Sequence, residues 1–141
     1  AMGYGVPAAL AAKTVHPDRL VVCLAGDGDF LMSGQELATA VQFDLPVVVL
    51  VVNNGMYGTI RMHQERQFPG RVVGTELENP DFVRYAGSFG AHGERVERTE
   101  QFPDALERAL EVGRPALVEL VVDPEAITPR VTLSEIREGA V

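Results

Sequence analysis

Two short apolar runs, each ending abruptly in polar and glycine residues, constrain what this chain can fold into. Leu20-Val21-Val22-Cys23-Leu24 leads into Ala25-Gly26-Asp27-Gly28-Asp29-Phe30, and Val47-Val48-Val49-Leu50-Val51-Val52 leads into Asn53-Asn54. Both runs are continuous and β-branched, which is how strands buried on both faces of a parallel sheet read. If the two are neighbours, Asp27 and Asn54 emerge side by side at the carboxyl ends of their strands. Open α/β sheets bind ligands there. A carboxylate and a carboxamide beside glycine-rich backbone suit a hard cation holding a phosphorylated ligand.

The rest of the chain alternates in the same manner. Gly5 to Val15 is alanine-rich with apolar residues at helical spacing, and Pro7 fits its first turn. The first strand covers Leu20 to Ala25. Ser33 followed by Glu36 reads as a capping box opening a helix that runs to about Phe43. After the second strand, a helix is expected from near Tyr57 to about Gln64. Residues 66 to 80 show no periodicity and contain Pro69-Gly70; a loop of that length is either a lid over a site or a surface excursion. Asp81 to Phe89 reads as a helix and His92 to Val96 as a short strand. Phe102, Ala105, Leu106, Ala109 and Leu110 mark an amphipathic helix that Gly113 stops. Ala116 to Val122 is the last strand. This order implies an α/β, three-layer fold, a parallel sheet with helices on both faces. Residues 1–122 form the domain, and the aperiodic 123–141 is expected to be a tail packing on it or on a partner.

Composition narrows the function. A net charge of −8 argues against nucleic acid and against an anionic membrane surface as partners. No apolar run approaches the roughly 20 residues needed to cross a bilayer. The opening Ala1-Met2-Gly3-Tyr4-Gly5 lacks the basic start of a signal peptide, so a cytoplasmic setting is expected. The start at Ala1 reads as a piece of something longer. Cys23 is the sole cysteine and sits in a strand, where it reads as a small buried hydrophobe.

Several familiar chemistries fail on the residues. The dinucleotide fingerprint requires a third glycine where Leu31 stands, and no Walker lysine is present. The carboxylate spacing of a calcium loop is missing. Ser33 is assigned to the cap and Cys23 to the core, which leaves no nucleophile with a partner histidine.

Gly26-Asp27-Gly28, a 24-residue interval (29 to 52) and then Asn53-Asn54 resembles the signature of thiamine-diphosphate enzymes. Met2 to Ala9, Gly28 to Leu37, Tyr57-Gly58-Thr59-Ile60 and Asp123-Pro124-Glu125 extend the resemblance to the C-terminal, cofactor-binding domain of acetolactate-synthase-like enzymes. That family includes decarboxylases and carboligases of 2-oxo acids. The resemblance implies that Asp27, the side-chain carbonyl of Asn54 and the backbone carbonyl of Met56 bind Mg²⁺. It implies that Gly26, Gly28, Asp29 and the helix start at Tyr57, Gly58, Thr59 and Ile60 meet the diphosphate, and that Met2 props the thiamine. Asp29 stands where a neutral residue would suit an anion better, so it is expected to turn to solvent or cap its neighbours. The chemistry implied is covalent catalysis by thiamine diphosphate on a 2-oxo acid. The glutamate that activates the cofactor in this family lies on a pyrimidine-binding domain, usually of a neighbouring subunit, and no residue here matches it. The chain is therefore expected to contain no catalytic residue of its own, and to work in a homodimer or homotetramer. The absence of tryptophan departs from biosynthetic acetolactate synthases. His63 is a candidate for facing substrate. Two other readings stand beside this one: a subunit of a split enzyme, and a non-catalytic module that binds Mg²⁺-diphosphate.

Overall fold

The computed structural model describes residues 1–139; the last two residues of the expected tail lie outside them. Four strands, β1 (Val22–Gly26), β2 (Val48–Asn53), β3 (His92–Val96) and β4 (Ala116–Val121), form one sheet in the order β1-β2-β4-β3. All three pairings are parallel, and Gly26 stands opposite Val52. The first two strands are therefore neighbours, and Asp27 leaves β1 one step beyond the level of Val52. Around the sheet lie α1 (Gly5–Val15), α2 (Asp27–Phe30), α3 (Leu37–Gln42), α4 (Gly58–Gln67), α5 (Phe82–Ser88), α6 (Phe102–Glu111) and α7 (Leu133–Arg137).

Two apolar clusters make the layers. On one face, Val6, Ala9 and Leu10 of α1, Phe30 of α2, Leu37 and Ala40 of α3 and Phe82 and Ala86 of α5 close over Cys23, Val49, Val51 and Leu117. On the other, Ala105 and Ala109 of α6 close over Val48, Val96, Ala116 and Val118. β2 and β4 are covered on both sides, as their unbroken apolar sequence requires. β1 departs from that expectation. Cys23 and Ala25 are buried, but Val22 and Leu24 are 44% and 68% exposed. The reason is position: β1 is an edge strand, and α6 spans only the far part of the sheet. An apolar run alone does not distinguish an edge strand from a central one.

Several local features set the site. Gly5 brings α1 against β1, since a Cβ there would stand 2.9 Å from Cys23 Sγ. Burial pushes the Cys23 thiol up, with the charge of Asp29 adding to the effect. It is a core side chain and not a nucleophile. The turn after β1 is helical (α2) and is pinned by Phe30, which is fully buried and meets Phe82 edge-to-face at 5.6 Å. Gly34 makes room for the same ring: a Cβ there would stand 2.7 Å from Phe30 Cε1.

The expected capping box at Ser33 does not form. Ser33 makes no side-chain cap bond, and its buried Oγ has no partner. Glu36 accepts instead from Thr39 Oγ1 at 2.8 Å. A 3-10 turn over Gly34–Glu36 delays α3 until Leu37, so Ser33 sits a full turn too early to reach its first N–H groups. A capping box does form at Thr132 and Glu135, opening α7. That helix, which the aperiodic tail sequence concealed, packs against α4.

Candidate functional site

The site lies where the carboxyl ends of β1 and β2 meet the start of α4. A cleft of about 410 Å³ there is walled by Met2, Gly26, Asp27, Gly28, Asp29, Tyr57, Gly58, Thr59 and Ile60, with Ala1 at its rim. A second cleft, of about 300 Å³, shares Gly26, Asp27, Gly58 and Thr59 and adds Asn54 and Ile127. The fold thus brings the two halves of the sequence signature to one place.

Asp27 is 2% exposed. Its Oδ1 accepts from Gly28 N–H at 2.9 Å; its Oδ2 accepts from Gly55 N–H at 2.9 Å and from Asn79 Nδ2 at 2.8 Å. All three donors are neutral. Among the described residues no ion pair includes Asp27. Buried charges are paired or bind metals, so this carboxylate is suited to receive a cation. The other oxygens at hand are amide and backbone carbonyls, a hard donor set appropriate to Mg²⁺ or Ca²⁺ and poor for softer metals.

The asparagine pair divides. Asn53 points inward: its Oδ1 accepts from Gly55 N–H at 3.1 Å and Asn79 Nδ2 at 2.9 Å, and its Nδ2 donates to Glu119 Oε1 at 2.7 Å. Asn54 stands at the second cleft, and its Oδ1 accepts from Met56 N–H at 3.2 Å. Gly58 lies close beneath it: a Cβ there would stand 2.7 Å from Asn54 Nδ2 and would displace that side chain. Met56 bridges antiparallel to Glu76, flanked by Tyr57 N–H to the Thr75 carbonyl and Leu77 N–H to the Gly55 carbonyl. A residue at such a non-hydrogen-bonded position turns its own N–H and C=O away from the partner segment. Met56 itself lines neither cleft.

The two glycines of the signature differ. Gly26 has nothing within 4 Å of an added Cβ and faces open cleft. Gly28 makes space for Tyr57, whose Cε1 would stand 2.3 Å from such a Cβ; its N–H is already given to Asp27. Asp29 turns one oxygen to Gly3 N–H at 2.5 Å and so holds the segment carrying Met2 against the cleft. No side chain caps α4, and its first-turn residues Gly58, Thr59 and Ile60 face the cleft, where unpaired N–H groups and the helix dipole favour an anion. His63 is exposed on α4 and outside both clefts.

Residues 66 and 67 of the expected loop belong to α4, and part of the remainder packs behind the signature without lining either cleft. The middle of the loop is exposed at Val72 and Val73, but Thr75 is buried and residues 75–79 lie along the signature. Sequence reading placed Asn53 in the signature without giving it a role, and missed Asn79 and Glu119. The adjacency of Asn79 to Pro80 marks a turn but says nothing of the carboxylate it reaches.

Residues 1–120 match the family described as thiamine pyrophosphate enzyme, C-terminal TPP binding domain. The chain belongs to that family. Thiamine diphosphate is accordingly the cofactor of this domain. Among its relatives, the mitochondrial acetolactate synthase catalytic subunit of Aspergillus candidus is 39% identical over 86% of this chain and 18% of its own length. The acetolactate synthase isozyme 2 large subunit of Escherichia coli is 38% identical over 86% of this chain and 22% of its own. The solved thiamine diphosphate-dependent 4-hydroxybenzoylformate decarboxylase of Rhodococcus jostii RHA1 superposes with a TM-score of 0.81 at 35% identity, covering 86% of this chain and 23% of that one. The chain thus spans about a fifth of the length of these relatives. No described helix is long and apolar enough to cross a membrane.

Proposed function

We propose that this chain binds the diphosphate end of thiamine diphosphate through Mg²⁺, as the C-terminal domain of an acetolactate-synthase-like 2-oxo acid decarboxylase or carboligase. The observation that carries the reading is Asp27: a buried carboxylate held by three neutral donors, with no counter-ion, opening on the cleft that the signature residues line.

In this reading Asp27, the Asn54 carbonyl and the Met56 backbone carbonyl hold the cation. Gly26 and the first turn of α4 meet the diphosphate; Tyr57 and Met2 supply apolar wall. Asp29 acts on the Met2 segment and keeps its own charge bonded away from the anion. When bound, thiamine diphosphate supplies a carbon nucleophile for the carbonyl of a 2-oxo acid. This chain's residues bind and orient it. The activating carboxylate comes from a pyrimidine-binding domain of the same or a neighbouring chain, in a homodimer or homotetramer.

Isothermal titration of the full-length protein with thiamine diphosphate, with and without Mg²⁺, tests the reading. Binding is expected only with Mg²⁺; equal binding after chelation of all divalent metal would overturn it.

A further inference from the structure

We propose that Asn79 is a positioning residue for the cation ligand Asp27, and that a rigid relay from Arg95 through Glu119 and Asn53 sets its orientation. The proposal rests on the Mg²⁺ reading above and brings in Asn79, Glu119 and Arg95, which lie outside the signature.

The polarity of the relay follows from its two carboxylates. Glu119 is 2% exposed on β4. Its Oε2 accepts from Arg95 Nε at 2.7 Å, and its Oε1 accepts from Asn53 Nδ2 at 2.7 Å. An ionised carboxylate only accepts, so the amide nitrogen of Asn53 must face Glu119 and its carbonyl must face the other way. That carbonyl receives Asn79 Nδ2 at 2.9 Å, and the same nitrogen reaches Asp27 Oδ2 at 2.8 Å. Turning the Asn79 amide over would place its oxygen against two acceptors. Its orientation is therefore dictated, even though its own Oδ1 is buried without a partner.

These bonds are not needed to hold the loop. Residues 75–77 are already fixed by Tyr57 N–H to the Thr75 carbonyl at 2.8 Å and by Leu77 N–H to the Gly55 carbonyl at 2.9 Å, and Asp81 caps α5 through Arg84 N–H at 3.0 Å. What Asn79 adds is a second donor on one oxygen of Asp27. It fixes the rotation of the carboxylate and leaves Oδ1, whose one partner is Gly28 N–H, with capacity for a cation. Groups standing behind metal ligands in this way commonly change metal affinity by about 10–100-fold when removed.

The test measures two quantities on the full-length protein: the Mg²⁺ concentration giving half-maximal thiamine diphosphate binding, and the thermal midpoint without metal or cofactor. Asn79→Ala is expected to raise the first by about tenfold or more while leaving the second near that of the unmodified protein. Asn79→Ser, which keeps a short donor, is expected to fall between, and serves alone if the alanine variant does not fold. An unchanged Mg²⁺ requirement, whether or not the midpoint falls, overturns the positioning role. If the unmodified protein shows no Mg²⁺ dependence at all, the metal reading fails first and the proposal with it; Mg²⁺ dependence that Asn79 variants share undiminished sinks only the proposal.

Discussion

Asp27 and Glu65 are both buried carboxylates, 2% and 1% exposed, and their surroundings are opposite. Glu65 is saturated with positive charge. Arg137 Nη2 reaches Oε1 at 2.8 Å, Arg61 Nε reaches the same oxygen at 2.9 Å, and Gly70 N–H reaches Oε2 at 2.8 Å. The hydrogen bond from Arg137 is the largest influence; with those from Gly70 and Arg61 it outweighs the penalty of burial and holds the carboxyl at about 2. Asp27 has three donors and no cation. The first arrangement is complete within the chain and ties α7 to α4. The second is incomplete until something positive arrives. A buried acid therefore marks a binding site here only when its counter-charge is missing, and Glu119, paired with Arg95, follows the Glu65 pattern.

Substituting the two acids should separate binding from stability. Asp27→Ala is expected to lower Mg²⁺-dependent thiamine diphosphate affinity by more than about 100-fold, beyond the range for residues behind the ligands, with the circular dichroism of the fold retained. Undiminished affinity in titration would move the metal site elsewhere. Glu65→Gln removes the charge that Arg61 and Arg137 share, leaving buried Arg61 only the longer contact to exposed Glu76 at 3.9 Å, and is expected to cost about 3–5 kcal/mol of stability. Denaturant unfolding reads this directly, with the Mg²⁺ requirement little changed. If Glu65→Gln abolishes cofactor binding at unaltered stability, the contrast is void.

Acid sharpens the same comparison. The folded-state pKa of Glu65 is depressed from 4.5 to about 2, so the unfolded chain takes up its proton first. Its contribution is present above about pH 4.5 and is lost as pH falls towards 2, on the order of 3 kcal/mol in all. The stability of Glu65→Gln should lack that part of the acid slope.

The signature glycines give the smaller effects. Gly28→Ala drives a methyl into the Tyr57 ring and is expected to cost about 1–3 kcal/mol by overpacking. Gly26→Ala meets nothing in the chain, and Gly26 has an ordinary φ of −70°. Stability should stay within about 0.5 kcal/mol, while titration should show weaker thiamine diphosphate binding. A loss of stability without loss of affinity would mean that Gly26 does not border the ligand.

Much of this was legible in the residues. Continuous β-branched runs ending in glycine and amide residues specify parallel strands and the sheet end where ligands collect, because that pattern depends on local sterics and on burial of both faces. Helix α1 spans Gly5–Val15 as its spacing predicts, and β3 covers His92–Val96. Other features depended on what stood opposite. Ser33 and Glu36 have the pattern of a capping box yet do not form one, since the chain turns through a 3-10 segment first. Val22 and Leu24 look buried in sequence and are exposed, since nothing in the described residues packs on that side of the edge strand.

The amino-acid order by itself determined the strand–turn pairs, the spacing of Asp27 from Asn54 and the excess of hard oxygen donors, all matters of local pattern. Only the tertiary structure decided which of two adjacent asparagines turns inward, which loop residue reaches Asp27, and which buried acid is left without a counter-charge. Those outcomes rest on contacts between residues far apart in the chain: Asn79 is 52 positions from Asp27, and Arg137 is 72 from Glu65. Hydrogen-bond polarity and charge pairing are properties of what meets in space, and no periodicity along the chain encodes them.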